Sequence, residues 1–325
     1  MSEKSSLRKS APHSSPTPRA ASSRVTRSSR RERERTKMSD FFASVGEFFE
    51  QIGRDIHAQY DATRRSYNRA NAEDKREKSA RATGIVTERD AGLKALPEYV
   101  YTLGDRARVI DAGSNAIERV EDRLGSLTRA KTLKLDANAL RFIPNSLTLM
   151  TSLKVLNLRG NEIHSLPEDI GALVELEDLD VSENKLEGLP KSLGALAKLR
   201  RARFGANALT NDSGLDALGN CVELESVSIR DNTHLAGSLP VSWGCLIKLK
   251  EIDADGTSLS TVPKEIFLAC ENLSTLSMRR CPIDVAELKR TEGYDMYETK
   301  RKLKHDKQID SRVLMNESRF DERLG

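Results

Sequence analysis

Five asparagines, Asn115, Asn138, Asn161, Asn184 and Asn207, stand 23 residues apart four times running, and no other feature of this 325-residue chain restricts its fold so severely. Each closes the same phrase. From Leu153 the chain reads LKVLNLRGNEIHSLPEDIGALVEL, with Leu153, Leu156 and Leu158 ahead of Asn161, and Ile163, Leu166, Ile170 and Leu173 behind it. Leu156 and Leu158 are two apart, as residues sharing one face of a strand must be. A period of this length marks a stack of short coils, because one such coil cannot bury its own apolar face whereas several stacked coils can.

The asparagine has a physical reason. Where a coil turns out of its strand, backbone N–H and C=O groups face the interior, and unpaired polar groups there are costly. A side-chain amide carries both a donor and an acceptor, so stacked asparagines predict a ladder running through the turns. Beyond Asn207 the same role passes to Asn232, Thr257 and Cys281 after steps of 25, 25 and 24 residues, and before Asn115 the slot of a degenerate opening coil falls to Ala91. Thr257 can satisfy fewer partners than an amide. The pattern is that of a leucine-rich repeat, in eight copies plus the opening coil. It predicts an α/β fold: a leucine-rich-repeat solenoid, or horseshoe, with a concave parallel β-sheet whose strands follow sequence order, preceded by an amphipathic helix and a disordered basic tail.

Composition divides the chain into five stretches. Residues 1–37 hold eleven Lys or Arg against three Glu, ten Ser and almost no aliphatics, the composition of a disordered tail. Since the whole chain is only +4, the remainder is near −4, so the basic balance belongs to the tail and gives no reason to expect nucleic acid on the solenoid. Residues 38–82 open with Phe41, Val45, Phe48, Phe49, Ile52 and Ile56 at helical spacing, an amphipathic helix that needs a contact, and continue as a charged helix or linker. Residues 83–283 carry the repeats, residues 284–304 read as a capping helix begun by Asp284 and sealed by Val285, Leu288 and Tyr294, and residues 305–325 form a charged, mobile tail.

Nothing in the sequence assembles a catalytic or metal centre. The five histidines are scattered, the four cysteines (Cys221, Cys245, Cys270 and Cys281) show no paired spacing, and no phosphate-binding glycine loop occurs. The reading is therefore a non-enzymatic chain without metal or cofactor. No apolar run is long enough to span a membrane and no signal-peptide core appears, which with unpaired cysteines predicts a cytoplasmic, reduced protein.

Function then falls to the outward-facing strand residues, which lie six, four and two positions before each ladder residue. These are Asp178 and Asp180 with Glu183; Arg201 and Arg203 with Arg200; Arg230; Glu251, Asp253 and Asp255; and Arg279 with Arg280. Their signs alternate in bands. That predicts a scaffold or regulator that binds an unknown protein partner through its concave face. The alternative is a peripheral membrane or cytoskeletal adaptor in which residues 38–60 make the contact.

Three stretches, TGIVTERDAGLKALP, the 23-residue repeats with Leu-Pro on their return side, and LKRTEGYDMYETKRKLK, resemble the intracellular leucine-rich repeat-containing protein 57 family, and more distantly the Ras-group intracellular leucine-rich-repeat proteins. The resemblance covers roughly residues 83–304, and its most specific part is Glu292-Gly293-Tyr294-Asp295-Met296-Tyr297. It implies a cytosolic binding module without catalytic residues. Members of that family begin Met-Gly, whereas Met-Ser stands here at positions 1–2 and 38–39.

Overall fold

The computed structural model describes residues 70–304 without interruption and, ahead of them, residues 47, 50, 51, 54, 55, 57–64 and 67. The basic tail 1–37, the stripe Phe41, Val45, Phe48, Phe49, Ile52 and Ile56, and residues 305–325 lie outside the described residues. The chain divides after Ala70 into two units. In the first, every described residue is helical. The second holds the repeats and begins with helix α1 (71–83).

Nine short strands follow α1 in one parallel sheet whose order is the order of the chain: β1 (Ile85–Thr87), β2 (Val109–Asp111), β3 (Thr132–Lys134), β4 (Val155–Asn157), β5 (Asp178–Asp180), β6 (Arg201–Arg203), β7 (Ser226–Ser228), β9 (Glu251–Asp253) and β11 (Thr275–Ser277). In the coils after Asn232 and Thr257 the return side begins with β8 (Ala236–Ser238) and β10 (Ser258–Thr261), which pair separately as a two-stranded parallel ribbon. The side chain of Asn211 steadies this ribbon by accepting from the Ala236 N–H at 2.7 Å. Nine strands match the eight repeats and the opening coil. The central residues of the first eight, Val86, Ile110, Leu133, Leu156, Leu179, Ala202, Val227 and Ile252, are all 0% exposed. Complete burial of a Leu or Ile side chain contributes about 1.5–3 kcal/mol, so this single row supplies much of the stacking energy.

The asparagine ladder forms as the spacing requires. Asn161 donates from Nδ2 to the Leu158 carbonyl of its own coil at 2.8 Å and to the Leu135 carbonyl of the preceding coil at 2.9 Å, while its Oδ1 accepts from the Leu140 N–H at 3.0 Å. Asn184 repeats this with Val181, Leu158 and Ile163, each at 3.0 Å. The degenerate coil is in register, because Asn115 reaches the Glu88 carbonyl, three residues ahead of Ala91, at 2.7 Å. Thr257 is the weak rung. Its hydroxyl reaches only the Ala254 carbonyl of its own coil, at 2.9 Å, and touches the Cys281 thiol at 3.3 Å.

A second periodicity was hidden in the sequence. The residue just before every ladder position has a left-handed backbone: Asp90, Ser114, Ala137, Gly160, Glu183, Ala206, Asp231, Gly256 and Arg280, with φ between 52° and 70°. Only two of these nine are glycine. The other seven tolerate a conformation that disfavours a Cβ, because the ladder bonds on either side hold the turn closed.

On the return side, the short helices α2 (Glu98–Thr102) and α3 (Lys264–Ala269) and 3-10 turns such as Lys191–Ala195 follow Pro97, Pro263 and Pro190, whose extended backbones precede the turns. The glycine of the L-G-x-L phrase lets neighbouring coils approach. A Cβ on Gly171 would lie 2.2 Å from the Ser192 carbonyl oxygen.

The two ends are closed unequally. At the start, α1 buries Ala80 completely, and its Arg76 donates to Glu88 at 2.9 Å. Glu88 is itself 0% exposed and also accepts from the Tyr99 hydroxyl at 2.6 Å. The charged stretch before the repeats is helical, and where it meets the first coil it covers that coil's end. At the far end the expected single helix is two, α4 (Val285–Arg290) and α5 (294–304), broken at Gly293 with φ +85°. Asp284 caps α4 as expected, accepting from Ala286 N at 2.8 Å. Val285 does not seal the coil and is exposed. The break instead turns Tyr294 and Tyr297 onto Phe267, both with ring centroids 5.6 Å away.

Candidate protein-binding face

The concave face is the outer side of the nine-stranded sheet. Parallel register sets its rows: Val109, Thr132, Val155, Asp178, Arg201, Ser226, Glu251 and Thr275 stand side by side, as do Asp111, Lys134, Asn157, Asp180, Arg203, Ser228, Asp253 and Ser277. Neighbours in a row are about 4.8 Å apart at the backbone, so side chains of opposite sign on adjacent strands meet directly.

On β5 and β6 the predicted bands neutralise each other. Asp178 accepts from Arg201 Nε and from Arg203 Nη1, each at 2.8 Å, and Arg203 also stands 3.8 Å from Asp180. Glu183 sits at a left-handed corner and is held by Arg159 at 2.6 Å. Arg200 is not part of this surface. It precedes β6 and stands 3.9 Å from Glu225 in a ladder along the strand entrances, where Lys154 pairs with Glu177 at 2.5 Å and Lys250 with Glu225 at 2.6 Å. These hydrogen bonds hold the Glu177 and Glu225 carboxyls below their usual range.

The charges on β9 are different. Glu251 and Asp253 accept only from hydroxyls of the preceding strand, Ser226 at 3.4 Å and Ser228 at 3.0 Å, besides the Asp255 N–H that reaches Asp253 at 3.3 Å. Asp255 accepts from the Ser277 hydroxyl at 2.6 Å and the Arg279 N–H at 2.7 Å. Among the described residues, no Lys, Arg or His approaches any of these three carboxylates within 4.0 Å, although each has a neighbouring hydroxyl to hold it in place. On the preceding coil, beside Asp255 in register, Arg230 lies over Gly205, where a Cβ would stand 2.7 Å from its Cγ, and among the described residues its guanidinium finds only Asp231 at 3.5 Å. Asp231 is shared with Arg280, which reaches it at 2.9 Å over Gly256. A groove of about 510 Å³ here is lined by Asp180, Arg201, Arg203, Arg230, Glu251 and Asp253 among others.

Sequence reasoning passed over the first coils. Arg89 lies against Gly113 and ties Asp111 (3.0 Å) to Asp136 (2.8 Å), crossing two strands. The offsets that found the later residues find these too, since Arg89, Asp136 and Arg159 stand two positions before their ladder residues and Asp111 four before its own. This part of the face is self-satisfied. Among the described residues no group of three or more His, Cys, Asp or Glu is arranged to hold a metal ion, and no helix is long and apolar enough to cross a membrane.

Comparison with known proteins agrees with the repeat. Residues 130–241 match the family described as a leucine-rich repeat region. A leucine-rich-repeat and ubiquitin-like domain-containing protein of Arabidopsis thaliana is 42% identical over 62 residues, a stretch that is 19% of this chain and only 16% of that relative's length. Among solved structures, internalin C2 of Listeria monocytogenes superposes with a TM-score of 0.50 at 20% identity, over 59% of this chain and 80% of that one. At that identity the likeness concerns the fold alone, and the fold is a leucine-rich-repeat solenoid with a parallel sheet.

Proposed function

We propose that this solenoid is a non-enzymatic protein-binding scaffold or regulator of the cytoplasm, and that its concave face is the recognition surface, centred on β6 to β9 rather than spread over all strands. One observation carries the reading: Glu251, Asp253 and Asp255 are held by hydroxyls and, among the described residues, left without a cation, and the first two line one groove with Arg230. Where a surface has already paired its charges, as Asp178 has with Arg201 and Arg203, a partner gains little, because exposed pairs contribute only about 0–1 kcal/mol. Uncompensated charge that is already positioned offers complementarity, which governs specificity and association rate. Kinship with the leucine-rich repeat-containing protein 57 group fits the same reading. It rests on Glu292 to Tyr297, the stretch that carries the helix break and both tyrosines packed on Phe267.

The test is quantitative cross-linking capture from native cells with three proteins: the unaltered chain, Glu251→Lys with Asp253→Lys, and Arg201→Glu with Arg203→Glu. The first pair of changes should remove most specific partners. The second should remove fewer, since it disturbs a neutralised band. If both variants retain the full partner set at physiological salt, the concave face is not the recognition surface.

A further inference from the structure

The two ends of the sheet are finished differently. At β1 the central Val86 is 0% exposed beneath α1, as are the central residues of the seven strands that follow it in the sheet, but the central Leu276 of β11 is only partly buried. The cap made by α4 and α5 stands off from the last strand. It leaves a groove of about 570 Å³ along the whole of β11, floored by Leu276, Met278, Leu288 and Tyr294.

The strand edge in this groove is unfinished. Thr275 donates inward to the Lys250 carbonyl at 3.1 Å, and the Ser277 carbonyl accepts from Ala254 N at 2.8 Å, so residues 275 and 277 bond toward β9. In a parallel ladder the residue between them turns its own groups the other way. The Leu276 N–H finds the Tyr297 hydroxyl at 3.1 Å. Among the described residues no strand receives the Leu276 carbonyl or the Met278 N–H on this side, the arrangement that accepts an added strand.

Charge selects the occupant. Among the described residues the groove is lined by three cations, Arg279, Arg301 and Lys304, and by no carboxylate. Arg301 is engaged by Glu298 at 2.9 Å, and Lys304 rests on the Ser274 and Thr275 hydroxyls at 3.1 and 2.9 Å. Among the described residues no carboxylate lies within 4.0 Å of the Arg279 guanidinium.

We infer that the open edge of β11 is a second binding site, separate from the groove over β6 to β9, which takes an extended acidic segment of a partner protein as a tenth strand. Its apolar side chains would cover Leu276 and Met278, and its carboxylates would reach Arg279 and Lys304. Backbone pairing provides the affinity and the cations provide the choice of sign.

The probe is a fluorescein-labelled hexapeptide alternating aspartate with valine, titrated by anisotropy against the full chain. Three comparisons accompany it: the same peptide with lysine for aspartate, the aspartate peptide N-methylated at alternate amides, and an Arg279→Glu, Lys304→Glu variant of the chain. Both substituted residues are exposed, so thermal unfolding of the variant should match the parent. The aspartate peptide should bind at least about tenfold more tightly than either altered peptide, and the variant should reverse the preference between aspartate and lysine, since both pairing and sign are required. Equal binding of the N-methylated peptide would remove the strand-addition geometry, and an unchanged preference in the variant would remove the cationic rim. A full chain that binds no peptide, or that dimerises through this edge and releases the dimer on adding peptide, would show the groove to be closed or reserved for a second copy, and the inference would fall.

Discussion

Replacing Asn161 by leucine isolates the ladder from the rest of the core, because the two side chains are similar in size and the site is only 7% exposed. The Leu140 N–H, bonded at 3.0 Å, loses its partner outright, while the Leu135 and Leu158 carbonyls, bonded at 2.9 and 2.8 Å, each lose one of two amide donors and keep Asn138 and Asn184, both at 3.0 Å. The longer contact to the Arg159 carbonyl, 3.4 Å, adds little. A buried donor left unpaired costs about 1–3 kcal/mol and each of the two lost carbonyl bonds about 0.5–1.5 kcal/mol, and leucine recovers some of this through its own burial, so the expected net loss is roughly 2–4 kcal/mol. Thr257→Val serves as the control. It removes the bond to Ala254 at 2.9 Å and the contact with the Cys281 thiol at 3.3 Å, while that thiol still reaches the Ala254 carbonyl at 3.1 Å, and should cost about 1 kcal/mol by the same reasoning. Urea titration followed by circular dichroism gives both values, and native-state hydrogen exchange at Leu140 shows whether the opening begins at the altered turn. Two variants with indistinguishable midpoints would refute the claim that the asparagines hold the turns through their buried amide bonds.

The left-handed corners predict an asymmetry: Ala206→Gly should be neutral or stabilising by up to about 1 kcal/mol, whereas Gly160→Ala should destabilise by about 1–2 kcal/mol, as chemical denaturation would show. Cysteine chemistry should map the core. Burial pushes the Cys221 and Cys270 thiols up to about 11, so at pH 8 iodoacetamide should modify exposed Cys245 first and half-buried Cys281 next, with labelling of Cys221 or Cys270 in native protein counting against the packing. Glu162, Glu177 and Glu225 are held below the usual carboxylate range by hydrogen bonds from Lys185, Lys154 and Lys250. A depressed folded pKa stabilises above the unfolded value, near 4.3, and that contribution disappears as pH falls through the folded value. Thermal midpoints should therefore be level from about pH 7 to 5 and decline below about 4.3, with a shallower decline when all three lysines are changed to glutamine. An unchanged slope in that variant would assign the acid sensitivity to other groups.

Repetition made the architecture legible. A 23-residue step repeated with the same apolar and asparagine positions commits each coil to the conformation of its neighbours, so strand order, sheet type and the ladder all followed from spacing, even for Ala91, which has no amide to offer. The strand alternation likewise placed Asp178, Arg201, Arg203, Glu251 and Asp253 on the concave face. Arg200 escaped this logic because it precedes the strand, where alternation no longer orients side chains. Nor did the seven non-glycine residues at the left-handed corners reveal themselves, since their strain is imposed by the ladder bonds around them and leaves no mark on composition.

Tertiary structure alone decided how the charges are spent and how the ends are closed. Both are matters of a few ångströms between residues on different coils. Arg201 and Glu251 look alike as candidates in the sequence, yet one is bonded to Asp178 and the other has only a serine hydroxyl. The break at Gly293 is a local choice of φ, but its consequence, two tyrosines on Phe267 and an open β11 edge, depends on where the last coil already stands. A periodic sequence determines the interior of a stack, where every coil sees the same neighbours; its surface pairing and its two ends, where the neighbours change, are determined only when the stack is assembled.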